Sequence, residues 1–124
     1  MNDAASRPGS VRLLVYGTLK RGFPRADLMQ GARFDGAAVT ASGYALHDLG
    51  EYPALVVASD GVVEGEVYTV TAEHLDVLDR YEGYPDLYDR VVVSLADGTE
   101  AVAYVMSAAG VRGHPRLESG SWRR

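Results

Sequence analysis

One segment of the chain is strongly helical, and short runs of strand-forming residues surround it. Leu75, Leu78 and Tyr81 form an apolar stripe at i, i+3 spacing. The stripe lies between a favourable N-cap, Thr71, and a favourable C-cap, Gly83. This pattern predicts a helix over residues 71–82. A chain with only one strong helix must build most of its core from strands, so the sequence favours a sheet with a helix packed against it.

The other apolar runs are short and rich in β-branched residues, which is typical of strands. The predicted strands are Val11–Tyr16, Arg33–Thr40, Ser42–Leu49, Ala54–Ala58, Val62–Val70, Tyr88–Leu95 and Glu100–Met106, with a short helix at Arg25–Gln30. Turn signals at Asp60-Gly61 and Asp97-Gly98 predict hairpins around them. Glycines interrupt several runs, which favours a strongly curled sheet. We therefore predict an α+β domain built on a mixed sheet or small barrel.

Composition excludes several classes of protein. The 124 residues suffice for one domain, which we expect to span residues 11–124 after a flexible N-terminal tail of residues 1–10. Without cysteine, the chain can form neither disulfides nor thiolate metal sites. A net charge of −5 argues against nucleic-acid binding. Because no apolar run could cross a membrane or form a signal peptide, we expect a cytoplasmic protein without membrane partners.

The first predicted strand ends abruptly at Tyr16-Gly17, and glycine recurs at Gly22. A glycine directly after a buried strand marks a turn or a close approach of backbone to another group, and Gly17 can take positive φ. Backbone N–H groups exposed at such a strand end can bind an anion or a carbonyl oxygen. The alternative is that both glycines only turn the chain. A phosphate-binding loop is excluded because Phe23-Pro24 follows Gly22, where that loop needs Lys and then Ser or Thr.

One carboxylate falls on the apolar side of the predicted helix. Glu82 follows Leu75 by seven residues and Leu78 by four, so it projects between these two leucines. An uncompensated buried charge costs several kcal/mol, so the carboxylate must be paired, hydrogen-bonded or protonated. Glu82 either turns to solvent or pairs with Arg90 at a frayed helix end, or it lines a pocket. In a pocket, burial would raise its pKa toward neutrality and suit it to proton transfer.

Four short motifs resemble those of the γ-glutamylcyclotransferase family, and the similarity spans roughly residues 11–122. The motifs are Tyr16-Gly17-Thr18-Leu19 after the first strand, Gly65-Glu66-Val67-Tyr68 before the helix, Leu78-Asp79-Arg80-Tyr81-Glu82-Gly83-Tyr84-Pro85 followed by Tyr88-Asp89-Arg90, and Gly120-Ser121-Trp122 near the end. The first is similar to the family's signature loop, and the third is similar to its catalytic-glutamate segment. Their order along the chain identifies the family.

The resemblance implies a small, mixed, mostly antiparallel β-barrel with a few flanking helices. It also implies an enzyme without metal or cofactor that cyclises a small-molecule γ-glutamyl amide, releasing 5-oxoproline and a free amine. Carried over by position, Glu82 would be the general base and acid. Tyr16, Gly17, Thr18 and Leu19 would hold the glutamyl group through backbone N–H groups. The short chain is similar to the γ-glutamylamine branch of the family.

Two tyrosines complete the expected substrate-binding residues. Tyr52, next to Pro53, forms either a pocket wall or only a turn. Tyr88 either orients Glu82 or only packs. The leaving amine would depend on a pocket rim formed by loops at residues 22–24, 50–53 and 84–88, and the sequence identifies neither that amine nor the oligomeric state.

Other conspicuous residues are assigned structural roles. The histidines His47, His74 and His114 show no ligand spacing. Lys20 and Arg21 could attract an anionic substrate, but a solvated loop is the favoured interpretation. We expect Trp122 to be a packing anchor.

Two other functions stay open. One is a non-catalytic module that keeps the pocket and binds an amino-acid-like metabolite or a protein partner. The other is an ordinary amidase, which would release glutamate instead of 5-oxoproline. The presence of Glu82 favours the cyclising enzyme over the module.

Overall fold

The computed structural model describes residues 9–123. Most of the expected N-terminal tail therefore lies outside the described residues, and Ser10 already belongs to the first strand. Seven strands and one α-helix form within the described range: β1 Ser10–Val15, β2 Arg33–Val39, β3 Tyr44–Asp48, β4 Pro53–Val57, β5 Glu64–Thr71, α1 Ala72–Glu82, β6 Asp89–Ser94 and β7 Glu100–Val105. Short 3-10 helices lie at Ala26–Met29 and Ala109–Val111.

The strands form one mixed sheet in which most neighbours are antiparallel. β5 pairs with both β1 and β2, β3 pairs with β4, and β6 pairs with β7, all antiparallel. β7 also runs parallel to β1 and to β4. These ladders alone leave the sheet open, but an isolated bridge between Thr40 and Leu95 joins the ends of β2 and β6. The predicted α+β fold with a curled, barrel-like sheet is confirmed.

The helix has the boundaries and caps that the sequence predicts. The Thr71 hydroxyl accepts a hydrogen bond from the His74 N–H at 3.0 Å, and Gly83 ends the helix with φ of 71°. Leu75 and Leu78 are buried. Tyr81 was expected to continue this stripe, but 38% of it is exposed, because the strands cover only the narrow side of α1 that carries the two leucines.

One of the two predicted hairpins is wrong. β6 and β7 pair around Asp97-Gly98 as expected. At Asp60-Gly61, however, β4 and β5 do not pair with each other. The Gly61 carbonyl instead accepts hydrogen bonds from the Gly43 and Tyr44 N–H groups. These bonds direct the chain away from β4, so the local turn signal is overridden by pairing with distant strands.

The core lies on both faces of the central strands. Along β7, Ala103 and Val105 pack on one side, and Tyr104 packs on the other. Trp122 is 2% exposed and joins the core, as predicted. Lys20 was expected in a solvated loop but is buried, because its Nζ donates to the Trp122 carbonyl oxygen at 2.8 Å. This bond ties the loop after β1 to the end of the described chain.

Truncation of Leu78 to alanine should lower the free energy of unfolding by about 2–5 kcal/mol. Leu78 has no exposed surface, so its removal leaves a cavity between α1 and the sheet. Val77→Ala on the same helix is the matched control. Val77 is 43% exposed, and its truncation should cost about 0.5 kcal/mol or less. Urea unfolding measures both values, and equal losses would contradict this packing.

Candidate active site

A cavity of about 190 Å³ opens where β1 ends, β4 begins and α1 ends. Its volume is roughly that of six waters in the liquid. All the residues that the sequence predicts for the site line this cavity: Tyr16, Gly17, Thr18, Leu19, Tyr52, Glu82 and Tyr88. We call residues 16–19 the strand-exit loop. The fold therefore brings together two of the four motif segments, residues 16–19 and 78–90, and Tyr52, which lies outside the motifs.

Glu82 is the last residue of α1, and it is half-buried. Burial raises the pKa of its carboxyl group to about 7. Within residues 9–123 the carboxylate has no hydrogen-bond partner from the protein. The alternative pairing with Arg90 is wrong, because Arg90 Nε lies 3.3 Å from Asp79 Oδ1 and its guanidinium stacks on the Tyr84 ring. Glu82 is thus a carboxylate that can hold or release a proton near neutral pH.

The strand-exit loop has backbone N–H groups available at the cavity. The Gly17 and Thr18 carbonyl oxygens accept hydrogen bonds from the N–H groups of Lys20 and Arg25 at 3.1 Å and 2.9 Å. In contrast, the N–H groups of Gly17, Thr18 and Leu19 have no partner anywhere in the described part of the chain. Consecutive unpaired N–H groups of this kind can bind a carboxylate or a developing oxyanion.

Gly17 is required by a close approach, and its φ is not positive. A Cβ at this position would lie 2.7 Å from Pro53 Cγ and 2.8 Å from Pro53 Cδ. The first residue of β4 therefore packs directly on the backbone of the strand-exit loop. Of the two roles that glycine can have after a strand, the structure uses the close approach.

The hydroxyls of Tyr16 and Tyr88 are bound to the backbone of the cavity walls. Tyr16 donates to the Tyr104 carbonyl oxygen at 2.6 Å and accepts from the Leu55 N–H at 3.2 Å. Tyr88 donates to the Pro53 carbonyl oxygen at 2.6 Å. Burial raises the pKa of both phenols, so both stay neutral. Tyr88 therefore anchors the start of β4 and has no hydrogen bond to Glu82. Tyr52 forms a wall of the cavity beside Tyr88, and the centroids of these two rings lie 6.3 Å apart.

Several lining residues were not predicted for the site. They are Leu14, Val15, Tyr81 and Tyr104, whereas Pro53 and Leu87 belong to the predicted rim loops at residues 50–53 and 84–88. Tyr81 OH lies 3.2 Å from Thr18 Oγ1, and Tyr104 OH donates to Asp79 Oδ1 at 2.7 Å. Tyr81 could have been found from its place directly before Glu82, but nothing local marks Tyr104. The expected rim segment at residues 22–24 does not line the cavity.

The rings of two of the three histidines, His47 and His74, contact backbone carbonyl groups. His74 Nε2 lies 2.7 Å from the Leu28 oxygen, and His47 Nδ1 lies 2.9 Å from the His114 oxygen. Across residues 9–123, no cluster of His, Asp and Glu side chains is suited to a metal ion. The same range contains no helix long and apolar enough to span a membrane.

One family model, several named relatives and several solved structures resemble this chain. The family model "Gamma-glutamyl cyclotransferase, AIG2-like" matches residues 13–124. A Vibrio cholerae protein provisionally named gamma-glutamylcyclotransferase is 37% identical over 110 residues, covering 89% of this chain and 93% of that protein. A human protein named gamma-glutamylaminecyclotransferase is 34% identical over 93 residues, covering 65% of this chain and 59% of that protein. The crystal structure of an AIG2-like protein from Mus musculus has a TM-score of 0.75 and 26% identity, covering 88% of this chain and 86% of that one.

The Gly17→Ala substitution should lower the free energy of unfolding by about 1–3 kcal/mol, because the new methyl group must displace the Pro53 ring. Gly110→Ala is the matched control, since a Cβ there meets only ordinary contacts of 3.5 Å or more. The double variant G17A/P53A lacks the clashing ring atoms and should recover part of the loss. Urea unfolding measures all three, and a G17A protein as stable as G110A would refute the close approach.

The stability of the protein relative to Glu82→Gln should fall as pH rises. The folded-state pKa of Glu82 is raised from 4.5 to about 7, so the contribution of this group is fully present below pH 4.5 and is lost as pH rises through 7. Between pH 5 and pH 8 the wild type should lose about 2 kcal/mol relative to E82Q. Urea unfolding at each pH measures the difference, with Asp76→Asn as an exposed control on the same helix. A pH-independent difference between wild type and E82Q would be inconsistent with a buried carboxyl group.

Proposed function

Because this chain belongs to the γ-glutamyl cyclotransferase, AIG2-like family, and is thereby an enzyme of that type, we propose that it cyclises a γ-glutamyl amide to 5-oxoproline and a free amine. One observation carries the proposal. The half-buried carboxylate residue Glu82 and the strand-exit loop, whose N–H groups are unpaired within the described residues at Gly17, Thr18 and Leu19, line one cavity. The first can move a proton, and the second can bind the negatively charged parts of the substrate.

The first step is removal of a proton from the substrate's α-ammonium group. Glu82, as the carboxylate, takes this proton and becomes a carboxylic acid. The neutral α-amine then attacks the γ-carbonyl carbon of the same molecule, and an N–C bond forms. With a pKa of about 7, the Glu82 carboxyl group is present in both protonation states near neutral pH, as this role requires.

The second step is expulsion of the leaving amine. The tetrahedral intermediate carries a negative oxygen that N–H groups of the strand-exit loop would stabilise. Loss of one such donor would raise the barrier by about 3 kcal/mol. Glu82 gives its proton to the leaving nitrogen as the C–N bond breaks, which regenerates the carboxylate. The extra proton on the new ring nitrogen passes to the released amine, so charge and protons balance.

The rest of the cavity suits a reaction whose nucleophile is part of the substrate. Attack within one molecule requires the flexible glutamyl chain to be folded into ring-closing geometry, which is a positioning task. Walls fixed by the Tyr16 and Tyr88 hydrogen bonds and by the Gly17–Pro53 contact supply a rigid surface for it. The γ-glutamylamine substrates named for the human relative make γ-glutamyl amides of amines the first compounds to test.

Glu82→Gln should lower kcat for 5-oxoproline release about 10²–10⁴-fold, because Gln keeps the shape of the side chain but cannot carry the proton. Release from a panel of γ-glutamyl amides is followed chromatographically, and Asp76→Asn serves as the control. Product identity separates the alternatives: free glutamate would indicate an amidase. Substrate binding without turnover by either wild type or E82Q would indicate a binding module.

The pH profile provides a second test of the same step. If Glu82 is the general base, kcat/KM should fall about tenfold for each pH unit below about 7 and level off above it. A matched series of initial rates from pH 5 to pH 9 measures this. A wild-type profile that is flat through pH 7 would exclude Glu82 as the base.

A further inference from the structure

A second carboxylate, Asp79, makes contacts that the proposed reaction does not use. It lies on α1 one turn before Glu82, and a spacing of three residues places both side chains on the same face of the helix. Resting on the proposed function, we infer that Asp79 is a positioning residue. Its side chain joins the last turn of α1 to β7 and to β6, and this junction holds the Glu82 carboxyl group within reach of the reacting nitrogens.

The contact with β7 is a hydrogen bond to a buried tyrosine of the cavity lining. The Tyr104 hydroxyl donates to Asp79 Oδ1 at 2.7 Å, and Tyr104 is 2% exposed. Burial, the hydrogen bond to Asp79 and the nearby charge of Glu82 raise the pKa of the Tyr104 phenol, so it remains a donor. The main-chain oxygen of Tyr104 accepts from the Tyr16 hydroxyl at 2.6 Å. Tyr104 therefore connects α1 to the inner wall of the cavity.

The contact with β6 is an ion pair on the same carboxylate oxygen. Arg90 Nε lies 3.3 Å from Asp79 Oδ1, and the Arg90 guanidinium stacks 4.2 Å from the centroid of the Tyr84 ring. The Tyr84 N–H in turn donates to the Asp79 main-chain oxygen at 2.9 Å. The exposed side-chain fractions are 15% for Asp79 and 27% for Arg90. Salt screens such a partly buried pair less than it screens an exposed one.

The position of Glu82 depends on the helical turn that carries it. Its carboxylate has no hydrogen-bond partner from the protein within the described residues. Tyr81 OH also joins this turn to Thr18 Oγ1 at 3.2 Å, but that contact is exposed to solvent. Asp79 does not line the cavity, so its effect on the reaction would pass through Glu82. A displacement of about 1 Å at the reacting groups can cost about 10²-fold in rate.

Three variants weaken the junction in graded steps. Asp79→Ala removes both contacts, Tyr104→Phe removes only the hydrogen bond and keeps the ring, and Asp79→Asn keeps an oxygen that can accept from the Tyr104 hydroxyl. We expect kcat for 5-oxoproline release to fall about tenfold to 100-fold in D79A and about threefold to tenfold in Y104F, with D79N more active than D79A. The substrate is the γ-glutamyl amide of the panel that the wild type turns over fastest. Asp76→Asn, exposed on the same helix, is the control and should keep the wild-type kcat.

The split between KM and kcat separates positioning from a general loss of structure. Because the strand-exit loop is unchanged in these variants, KM should change less than about threefold. The double variant D79A/Y104F should have the kcat of D79A within about twofold, since both changes remove the same hydrogen bond. Urea unfolding at the assay temperature gives the folded fraction, and kcat is expressed per folded enzyme. If D79A does not fold, Y104F and D79N provide the comparison.

The outcomes separate this inference from the proposed function. A wild-type kcat per folded enzyme in Y104F, or in folded D79A, would overturn the inference and leave Asp79 with a structural role only. A raised KM at unchanged kcat would also overturn it, as would losses of kcat that multiply in the double variant. In all these cases 5-oxoproline release by the wild type upholds the function. If the wild type releases no 5-oxoproline from any amide of the panel, the proposed function fails, and the inference falls with it.

Discussion

The structure depends on how β7 divides one of its edges between two strands. β1 pairs with it at Val102, whereas β4 pairs with it at Val105. The two strands must separate between these points, and the Tyr16 hydroxyl lies at the separation, bonded to the Tyr104 oxygen and the Leu55 N–H. A side chain thus satisfies backbone groups that no longer have a strand partner. The cavity opens beside this point, between the end of β1 and the start of β4.

This arrangement explains why the cavity is rigid and almost free of charge. The Tyr16 and Tyr88 hydroxyls of its inner wall are bonded to main-chain oxygens, and the Gly17 backbone lies against the Pro53 ring. In such surroundings a single carboxylate has no ion-pair partner, and its proton affinity is set by burial alone. Burial therefore raises the pKa of Glu82 to about 7 without the help of a second charged group in the cavity lining.

Local sequence signals predicted the helix and the strands. Contacts between residues distant in sequence determined the features that those signals could not predict. Thr71, Gly83 and the leucines of α1 act within one helix, so their effect was readable from spacing. Glu82 was singled out because helical spacing places it among apolar residues. The Asp60-Gly61 signal predicted the wrong pairing because the hydrogen-bond partners of Gly61, Gly43 and Tyr44, lie at the start of β3. The burial of Lys20 could not be predicted from local sequence either, because its hydrogen-bond acceptor, the Trp122 carbonyl oxygen, lies far along the chain. The hydrogen-bond partners of Tyr16 and Tyr88 were hidden for the same reason.

The bond between Lys20 and the Trp122 carbonyl couples the C-terminal end of the described residues to the strand-exit loop that lines the cavity. Lys20 follows Leu19 of the strand-exit loop directly, and its ammonium group is buried against that single main-chain oxygen and the Phe23 ring. Proteolytic cleavage ahead of Ser121 would remove the acceptor of this buried ammonium group and weaken the hold on the adjoining strand-exit loop. Protein cleaved in this way would keep Glu82 and every other side chain of the cavity lining, but one wall of the cavity would be held less firmly.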